Sequence, residues 1–402
     1  MTLNGKTFHL KGKVQNYAWG GHTFIPNLLG FNNSDHTPCA EYWMGAHPSA
    51  SSIISDDMSS VSLNEFITDN TTATLTNRVF EQFGELPYLL KILDVKDMLS
   101  IQVHPTKTEA KKGFDAEELA GIHISAPHRN YKDSNHKPEV MVALSEFWLL
   151  HGFKEKDALM QTLIEVQEFN VLQPLFKTAG YKGLYQMVME MEQQYIDSMM
   201  KPLVKRELRR KANNQLTKKD PGWWVAKLFD GKEDNISNID KGIFSIYFFN
   251  IVEVAVGEAV FQRAGVPHAY LEGQNVELMA NSDNVLRGGL TPKHIDVPEL
   301  LKHTLFEGIV PNIMKGNDIG NNAINYPCPV ADFGIHKIEL NGNSHQATAV
   351  SLEIIIAVEG GAVINSSRNI VLKQGEAVAI LPNEAYKIES SGRCVLYKAF
   401  VP

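Results

Sequence analysis

The chain has 402 residues, of which 44% are hydrophobic and 21% are charged. This length and apolar content predict more than one domain and a well-buried core. The formal net charge of −8 at pH 7 argues against a nucleic-acid-binding protein, because neutralising phosphates requires a concentrated basic surface.

The three cysteines, Cys39, Cys328 and Cys394, are too few and too scattered for a disulfide framework or a CxxC zinc site. This usage suits a reducing cytoplasm. The segment from Met1 to Trp19 has no apolar core before a cleavage site, and no apolar run approaches the ~20 residues of a spanning helix. We therefore predict a cytoplasmic protein with no membrane partner.

Strand patterns open the chain. Apolar and polar residues roughly alternate from Lys6 to Trp19, which predicts a first strand. An aromatic-rich stretch from 39 to 49 carries Glu41 and His47, which could be ligands, although a strand edge leading into a loop is the favoured interpretation of His47.

Two apolar runs then predict core strands. Lys91 interrupts the first, and a lysine in such a run needs an acid, a ligand or water at its tip, because burying it unpaired is costly. In the second run Ser100, Gln102 and His104 fall at every second position and share one face, while the apolar residues between them share the other. A polar face between apolar strands is typical of a cavity lining.

A helix and a second strand entrance follow. The segment from 108 to 120 has helical spacing, and a polar loop then leads to His136, Lys137 and Glu139. Because Pro138 restricts the residue before it to extended backbone, Glu139 is expected to enter a strand, where its carboxylate can face inward.

A helical block interrupts the strands. Apolar residues recur every three or four positions from about 154 to 228, and the basic stretch 205–211 is interpreted as a solvated helix face. Strand texture returns from Ile243 to Val252. The helices are therefore predicted to be an insertion into a sheet domain.

The segment from Gly265 to Lys293 carries a histidine and several charged residues on irregular backbone. A Gly-Val-Pro turn delivers His268 at the start of an apolar run, and Gly288-Gly289 lets the backbone pass close beside Arg287. We interpret His268 as a metal ligand, with Arg287 and Lys293 holding an anionic substrate beside the metal.

The last part of the chain is strand and turn. Asn341-Gly342 predicts a hairpin, and residues 350–358 and 362–372 predict strands joined at Gly360-Gly361.

An internal similarity links the two sheet regions. Gly-Glu-Ala-Val at 257–260 precedes His268, and Gly-Glu-Ala-Val at 375–378 precedes Glu384 at an equivalent place. This predicts two small barrels, of which only the first binds metal.

Four side chains then form a candidate divalent-metal site: Gln102, His104, Glu139 and His268. Two imidazoles, one carboxylate and an amide oxygen suit zinc, and a catalytic site leaves a position for water or substrate. A single carboxylate leaves a formal charge of about +1, so the ion stays a strong Lewis acid.

Several blocks resemble one known family: Ser-Ile-Gln-Val-His-Pro, Asn-His-Lys-Pro-Glu, Pro-His-Ala-Tyr-Leu and Asn-Ser-Asp-Asn-Val-Leu-Arg-Gly-Gly-Leu-Thr-Pro-Lys. They are similar to the signatures of type I mannose-6-phosphate isomerases of the cupin superfamily, and the similarity extends over essentially the whole chain. The resemblance implies a zinc enzyme that interconverts mannose 6-phosphate and fructose 6-phosphate, with one zinc per chain on those four ligands and Arg287 as the active-site arginine.

The resemblance also implies a mainly β fold with a helical insertion: a cupin (jelly-roll β-barrel) catalytic domain, an inserted α-helical domain and a carboxy-terminal cupin-like β-barrel. The predicted division is 1–153 and 241–328 for the catalytic domain, 154–240 for the insertion and 329–402 for the last domain. We expect a monomer whose partner is a small sugar phosphate.

The proton-transfer base stays open at this point. Lys137, Glu277, His136 and Asp283 are all candidates, and Glu277 or Asp283 could instead orient Arg287 or Lys293. By position, Lys293, Lys91 and Ser100 are predicted substrate contacts, with structural pairing about equally favoured.

Two other functions are alternatives to the isomerase. A non-catalytic cupin sugar-phosphate sensor would keep the pocket without turnover, and an oxygenase-type cupin would require a redox metal. The complete ligand set with Arg287 argues against the sensor.

Overall fold

The structure is a computed structural model that describes residues 3–233 and 235–402. The strands of the first part are β1 (Thr7–Lys11), β2 (Lys13–Gln15), β3 (Glu41–Gly45), β4 (Ile53–Ser55), β5 (Ser60–Ser62), β6 (Tyr88–Val95), β7 (Gln102–Val103), β8 (Glu139–Ala143), β9 (Phe147–Phe153), β10 (Phe249–Val254), β11 (Ala259–Gln262), β12 (His268–Ala280) and β13 (Leu286–Arg287). The later strands are β14 (Asn317–Asp318), β15 (Ala323–Tyr326), β16 (Gly334–Asn341), β17 (Ser344–Thr348), β18 (Glu353–Glu359), β19 (Ala362–Asn365), β20 (Asn369–Leu372), β21 (Ala377–Ile380), β22 (Ala385–Glu389) and β23 (Arg393–Phe400). The helices are α1 (Phe24–Leu29), α2 (Leu63–Asp69), α3 (Thr71–Thr74), α4 (Asn77–Phe83), α5 (Lys107–Leu119), α6 (Lys156–Glu165), α7 (Gln173–Glu190), α8 (Gln193–Ala212), α9 (Pro221–Leu228), α10 (Gly242–Phe248) and α11 (Val297–His303), with a 3-10 helix at Gln167–Leu172.

The fold is mostly β-sheet with helices. One sheet has the order β14-β15-β16-β23-β18-β21-β1-β4-β5, another contains the path β10-β9-β12-β6-β3-β2, and a smaller one has the order β17-β22-β19-β20. These orders are open, so strand pairing closes no barrel among the residues described. A jelly roll is a pair of facing sheets and does not require closure.

Strand β12 organises the sheet that carries the predicted ligands. It pairs antiparallel with β6, β7, β8 and β9, and it is the longest strand in the described ranges. His268 is its first residue and lies opposite both Gln102 and His151, whereas Glu277 lies opposite Lys91. Strand β12 therefore places His268 beside Gln102 and His151, and Glu277 beside Lys91.

The helices α6 to α10 pack against this sheet. Ile101 and Val103 are fully buried in the same apolar cluster as Leu184 and Phe244. Because side chains alternate along an extended chain, Gln102 between them faces the opposite way, as the period-two pattern predicted. The helical layer thus supports the back of the short strand that carries Gln102.

The predicted strand from Ile243 to Val252 is wrong in its first half. Residues 242–248 form α10, and the strand β10 begins only at Phe249. All seven residues of α10 are buried, so the run is apolar on every side and its sequence has no periodicity to separate a helix from a strand.

The predicted hairpin at Asn341-Gly342 is also wrong. Gly342 adopts a φ of 73°, as a tight turn requires, but β16 pairs with β15 and β23 while β17 pairs with β22 in the smaller sheet. The chain therefore turns from one sheet into another. The predicted helix at 108–120 is confirmed as α5.

The internal similarity is matched by the backbone. Gly257 has a φ of 83° and Gly375 a φ of 82°, and each precedes a four-residue strand, β11 or β21. In the second copy the Glu384 carboxylate accepts a hydrogen bond from the backbone N–H of Ser367 at 2.7 Å.

The predicted domain division stays a prediction. Strands β1, β4 and β5 pair into the same sheet as β21 and β18, so amino-terminal residues share a sheet with the last segment. Two of the predicted ranges include Met1, Thr2 and Asp234, which lie outside the described residues. No helix in the described ranges combines the length and apolar content needed to cross a bilayer.

Candidate metal centre and active site

Three of the four predicted ligands converge on one point. One ligand atom from each of His104, Glu139 and His268 lies within 4.8 Å of the others, and all three residues are buried. Nε2 of His104 lies 3.4 Å from one Glu139 oxygen, and Nε2 of His268 lies 3.5 Å from the other. Gln102, the fourth, lies directly opposite His268 in the strand pairing.

Backbone carbonyls fix the orientation of both imidazoles. Nδ1 of His104 donates to the carbonyl of Asn284 at 2.8 Å, and Nδ1 of His268 donates to the carbonyl of Val266 at 2.9 Å. Both rings therefore present Nε2 to the convergence point, and Nε2 of His104 is buried without a hydrogen-bond partner. Metal-binding histidines are held in this way, with the second nitrogen anchored behind the ligand.

The charge states also fit a divalent cation. Burial lowers the pKa of His104 to about 4, which keeps its imidazole neutral and its lone pair available. Burial raises the pKa of Glu139, but the neighbouring His104 and Lys137 outweigh it and hold the net pKa well below the usual value. A neutral His104 imidazole and an ionised Glu139 carboxylate are donors that zinc accepts.

A cavity of about 50 Å³ lies beside this cluster. Its lining includes six of the twelve predicted site residues, namely Gln102, Glu139, His268, Lys91, Lys137 and Glu277, together with Glu41, Tyr270 and the apolar Leu93, Leu99 and Ala269. Lys91, Lys137 and Glu277 were predicted from their positions in the sequence, and the structure brings all three to one cavity.

Lys91 is held between two acids in this lining. Its Nζ lies 3.3 Å from Glu41 and 3.1 Å from Glu277. Burial lowers the pKa of Lys91, but Glu41, Glu277 and Glu139 together raise it above the ordinary value, so the ammonium stays charged. Burial raises the pKa of Glu277, and this effect exceeds the opposing influence of Lys91.

Arg287 lies close to the metal cluster without an acidic partner. It sits opposite Gln102 in the strand pairing, and in the described ranges no carboxylate lies within salt-bridge distance of its guanidinium. Burial lowers the pKa of Lys293, and the charge of Arg287 lowers it further; Arg287 contributes in the same direction to the pKa of Lys132. Unpaired cations that repel one another provide a site for an anion.

The turn behind Arg287 is pinned by a residue from the end of the helical region. Asp240 accepts hydrogen bonds from the backbone N–H groups of Gly242 at 2.6 Å, Leu290 at 2.7 Å and Thr291 at 3.2 Å. Gly289 has a φ of 122°, and a Cβ there would lie 2.5 Å from the Gly242 backbone. The predicted close backbone approach beside Arg287 is therefore confirmed.

Other candidates lie outside the cavity lining. His136 contacts Asp332 at 3.0 Å, and Asp283 contacts His47 at 3.3 Å with about half of its side chain exposed. Ser100, Lys293 and Arg287 also lie outside the set of residues that line the cavity.

Asn284, Tyr270 and Asp240 were not predicted from the sequence. Asn284 is 1% exposed, and its side-chain Nδ2 donates to the carbonyls of Asp133 at 2.7 Å and Asn135 at 2.8 Å, while its Oδ1 accepts from the N–H of Lys132 at 2.7 Å. Asn284 lies in a polar loop whose sequence is typical of an ordinary turn. The sequence alone therefore does not indicate that its side chain is buried and hydrogen-bonded. Tyr270 follows the His268 block, and its buried hydroxyl has no hydrogen-bond partner.

The sequence matches a known family model. Residues 7–156 match the model described as phosphomannose isomerase type I, catalytic domain. The chain is 35% identical to mannose-6-phosphate isomerase of Escherichia coli (strain K12) over 386 residues, which cover 94% of this chain and 95% of that protein. It is 32% identical to mannose-6-phosphate isomerase of Homo sapiens over 419 residues, covering 96% and 95%.

Solved structures agree in fold along nearly the entire length. One similar structure is a crystal structure of mannose 6-phosphate isomerase from Salmonella typhimurium bound to its substrate fructose 6-phosphate and to zinc. It has a TM-score of 0.87 and 35% sequence identity to this chain, and the match covers 99% of this chain and 100% of that one. A crystal structure of zinc-bound mannose 6-phosphate isomerase has the same TM-score of 0.87 and 35% identity over the same shares. This chain therefore belongs to the family of type I phosphomannose isomerases.

Proposed function

We propose that this chain is a zinc-dependent aldose-ketose isomerase that interconverts mannose 6-phosphate and fructose 6-phosphate through an enediol or enediolate. The observation that carries this proposal is the convergence of His104, Glu139 and His268 beside a cavity lined in part by Gln102, with Arg287 opposite Gln102 in the strand pairing. Relatives of nearly the same length bear the name of this activity, and one solved relative contains both zinc and fructose 6-phosphate.

Gln102, His104, Glu139 and His268 are the proposed holders of the ion, one per chain. When bound, zinc supplies positive charge that stabilises negative charge developing on the sugar oxygens. The anchored Nδ1 atoms of the two histidines keep Nε2 aimed at the ion, and the single carboxylate preserves a net positive site.

Isomerisation moves a proton between two adjacent carbons, so a base must reach the reacting carbon. Glu277 and Lys137 line the cavity, and this position favours them over His136 and Asp283 as the groups that move this proton. The pKa of Glu277 lies above its usual value because of burial, which makes its carboxylate a stronger base. The charged Lys91, 3.1 Å away, orients Glu277 and is a proposed substrate contact.

Arg287 and Lys293 are the proposed anion-binding residues. The 50 Å³ cavity can hold only the reacting end of a hexose phosphate, so the phosphate is proposed to bind outside it, at Arg287, which lies opposite the lining residue Gln102, and at Lys293. A guanidinium fork suits phosphate, and it could equally stabilise an enediolate. Ser100, next to the strand that carries Gln102, is a proposed hydroxyl donor on the same path.

The finer architecture is part of the proposal. Two facing-sheet units of the cupin type, one interrupted by the helical insertion, account for the open sheets and for the repeated Gly-Glu-Ala-Val corner. The proposed enzyme is monomeric and cytoplasmic, which the low cysteine content and the small polar substrate favour.

A coupled assay tests the function directly. Fructose 6-phosphate formed from mannose 6-phosphate is converted by auxiliary enzymes to a signal of reduced nicotinamide. We expect turnover by the purified protein, loss of turnover after chelation and recovery with zinc. A sugar-phosphate sensor would bind mannose 6-phosphate without turnover, and metal analysis that found iron with zinc-insensitive activity would indicate an oxygenase-type cupin.

A further inference from the structure

A buried histidine, His47, lies against Asp283, one of the candidate residues outside the cavity lining. His47 lies two residues beyond β3, its side chain is only 6% exposed, and its Nε2 lies 3.3 Å from Oδ2 of Asp283. The turn that carries it is closed by a hydrogen bond from the N–H of Ala50 to the carbonyl of His47 at 3.0 Å. The metal cluster and the cavity lining do not include His47, so neither accounts for its burial.

Local contacts determine which ring nitrogen of His47 carries the proton. The backbone N–H of Ser49 points at Nδ1 from 3.3 Å, so Nδ1 must accept, and the Ser49 hydroxyl lies 2.8 Å from the same atom. In the neutral ring the proton is therefore on Nε2, which faces Asp283. His47 is a hydrogen-bond donor to that carboxylate.

Asp283 is coupled electrostatically to the cavity. Burial raises the pKa of Asp283, but the neighbouring His47, followed by the cations Lys137 and Lys91, brings the net pKa below the usual value. Both lysines line the cavity. The next residue is Asn284, whose carbonyl anchors the ligand His104 at 2.8 Å, so Asp283 is tied to the metal centre through one peptide unit.

Trp43 connects the same histidine to the cavity wall. Its ring lies 5.0 Å from that of His47 in an edge-on arrangement, and Nζ of Lys91 lies 4.9 Å from the centre of the Trp43 ring. The position of the imidazole is therefore restricted on the side facing the cavity as well as by the turn.

A second turn in the chain has the same local geometry as the turn at His47 and serves as a comparison. His123 has the same relation to Ser125, with Nδ1 lying 2.7 Å from the hydroxyl and 3.3 Å from the backbone N–H. His123 is exposed, however, and no salt bridge to a carboxylate is found for it in the described ranges. The His-x-Ser turn is thus an ordinary local motif, and what distinguishes His47 is burial against Asp283.

We propose that His47 is a positioning residue that holds one oxygen of Asp283 so that the other accepts a hydrogen bond from a sugar hydroxyl at the cavity mouth. This inference rests on the proposed isomerase function. It assigns His47 a role through Asp283 and none in metal binding. The imidazole donates a single hydrogen bond to Asp283. A side chain that places a donor at the same distance should therefore preserve this role, and a side chain of the same size that carries only acceptors should not.

The test compares two replacements of equal size in the coupled assay. His47→Gln keeps an N–H donor near the position of Nε2, and we expect kcat/KM within about threefold of the wild type. His47→Glu places a second carboxylate against Asp283, and we expect a loss of about 30-fold with zinc content unchanged. His123→Gln and His123→Glu are the matched controls and should leave kcat/KM unaltered.

A double-mutant cycle shows whether the effect passes through Asp283. In an Asp283→Asn background, His47→Glu should cost no more than about twofold, because the repelled charge is gone. Equal loss in both backgrounds, or equal activity of the Gln and Glu variants, would overturn the inference. A wild-type protein without turnover would instead refute the proposed function, so the two failures are distinguishable.

Discussion

Replacement of Asn284 by alanine should loosen the loop that leads to the proposed metal ligand Glu139. Its buried side chain makes three hydrogen bonds shorter than 3.0 Å, to the backbone of Lys132, Asp133 and Asn135. Each is worth about 1 kcal/mol net, so Asn284→Ala should lower the free energy of unfolding of this region by about 3 kcal/mol. The anchoring carbonyl that holds His104 stays, but its position becomes less defined.

Two measurements check this expectation. Hydrogen exchange should show faster exchange at residues 132–135, and zinc affinity, measured by competition with a chromophoric chelator, should fall by about 10- to 100-fold. Asn365→Ala is the control, because the Asn365 amide makes a single hydrogen bond to Glu389 at 2.8 Å on the exposed surface, where its loss should cost under about 0.5 kcal/mol. Unchanged exchange and zinc affinity in Asn284→Ala would refute the reasoning.

Three further substitutions test other parts of the structure. Gly289→Ala combines a positive φ with a Cβ placed 2.5 Å from backbone, so it should lower the free energy of unfolding in urea by at least about 3 kcal/mol. Gly320→Ala, which has a positive φ but open space around the new Cβ, should lower it by about 1 kcal/mol. Equal losses in the two variants would contradict the clash. Arg287→Met should raise KM for mannose 6-phosphate about 100-fold if the guanidinium binds phosphate, and a fall in kcat at constant KM would assign it to the enediolate instead. Burial, then Lys398 and His345, lower the pKa of His336 to about 4 from an ordinary 6.5, so its contribution to stability is present above pH 6.5 and is lost as the pH falls towards 4. When the pH falls from 7 to 5, the free energy of unfolding of His336→Gln should therefore decrease by about 1 kcal/mol less than that of the wild type. Parallel curves of unfolding free energy against pH for the two proteins would contradict the assignment.

The residues of the candidate metal centre were predictable because polar side chains are uncommon at such positions in apolar strands. Gln102 and His104 alternate with buried apolar residues, and Glu139 and His268 follow prolines that open strands, so each is expected to face a cavity. That they share one cavity was a joint expectation from these patterns and from the family resemblance, and three of the four are within 4.8 Å of one another in the structure.

The supporting residues were not predictable for a physical reason. Asn284 and Asp240 act through backbone hydrogen bonds with residues far away in the chain, and a single sequence does not show those partners. Glu41 was predicted only as a possible ligand, and its ion pair with Lys91 was not predicted. The strand assigned to residues 243–248 failed for the opposite reason, because an apolar run buried on all sides has no polar face to reveal its period. The proton-transfer base also stays a proposal among several buried groups.

The pairing of β1 with β21 has a consequence for biosynthesis. Thr7 lies opposite Ile380 and Leu10 opposite Ala377, so β1 hydrogen-bonds to a strand that emerges from the ribosome much later. Contacts this distant along the chain form slowly, and until then the edge of β1 is open to mispairing with other nascent chains. A ribosome-stalled chain that lacks residues 377–380 should therefore depend on chaperones more strongly than its local composition suggests.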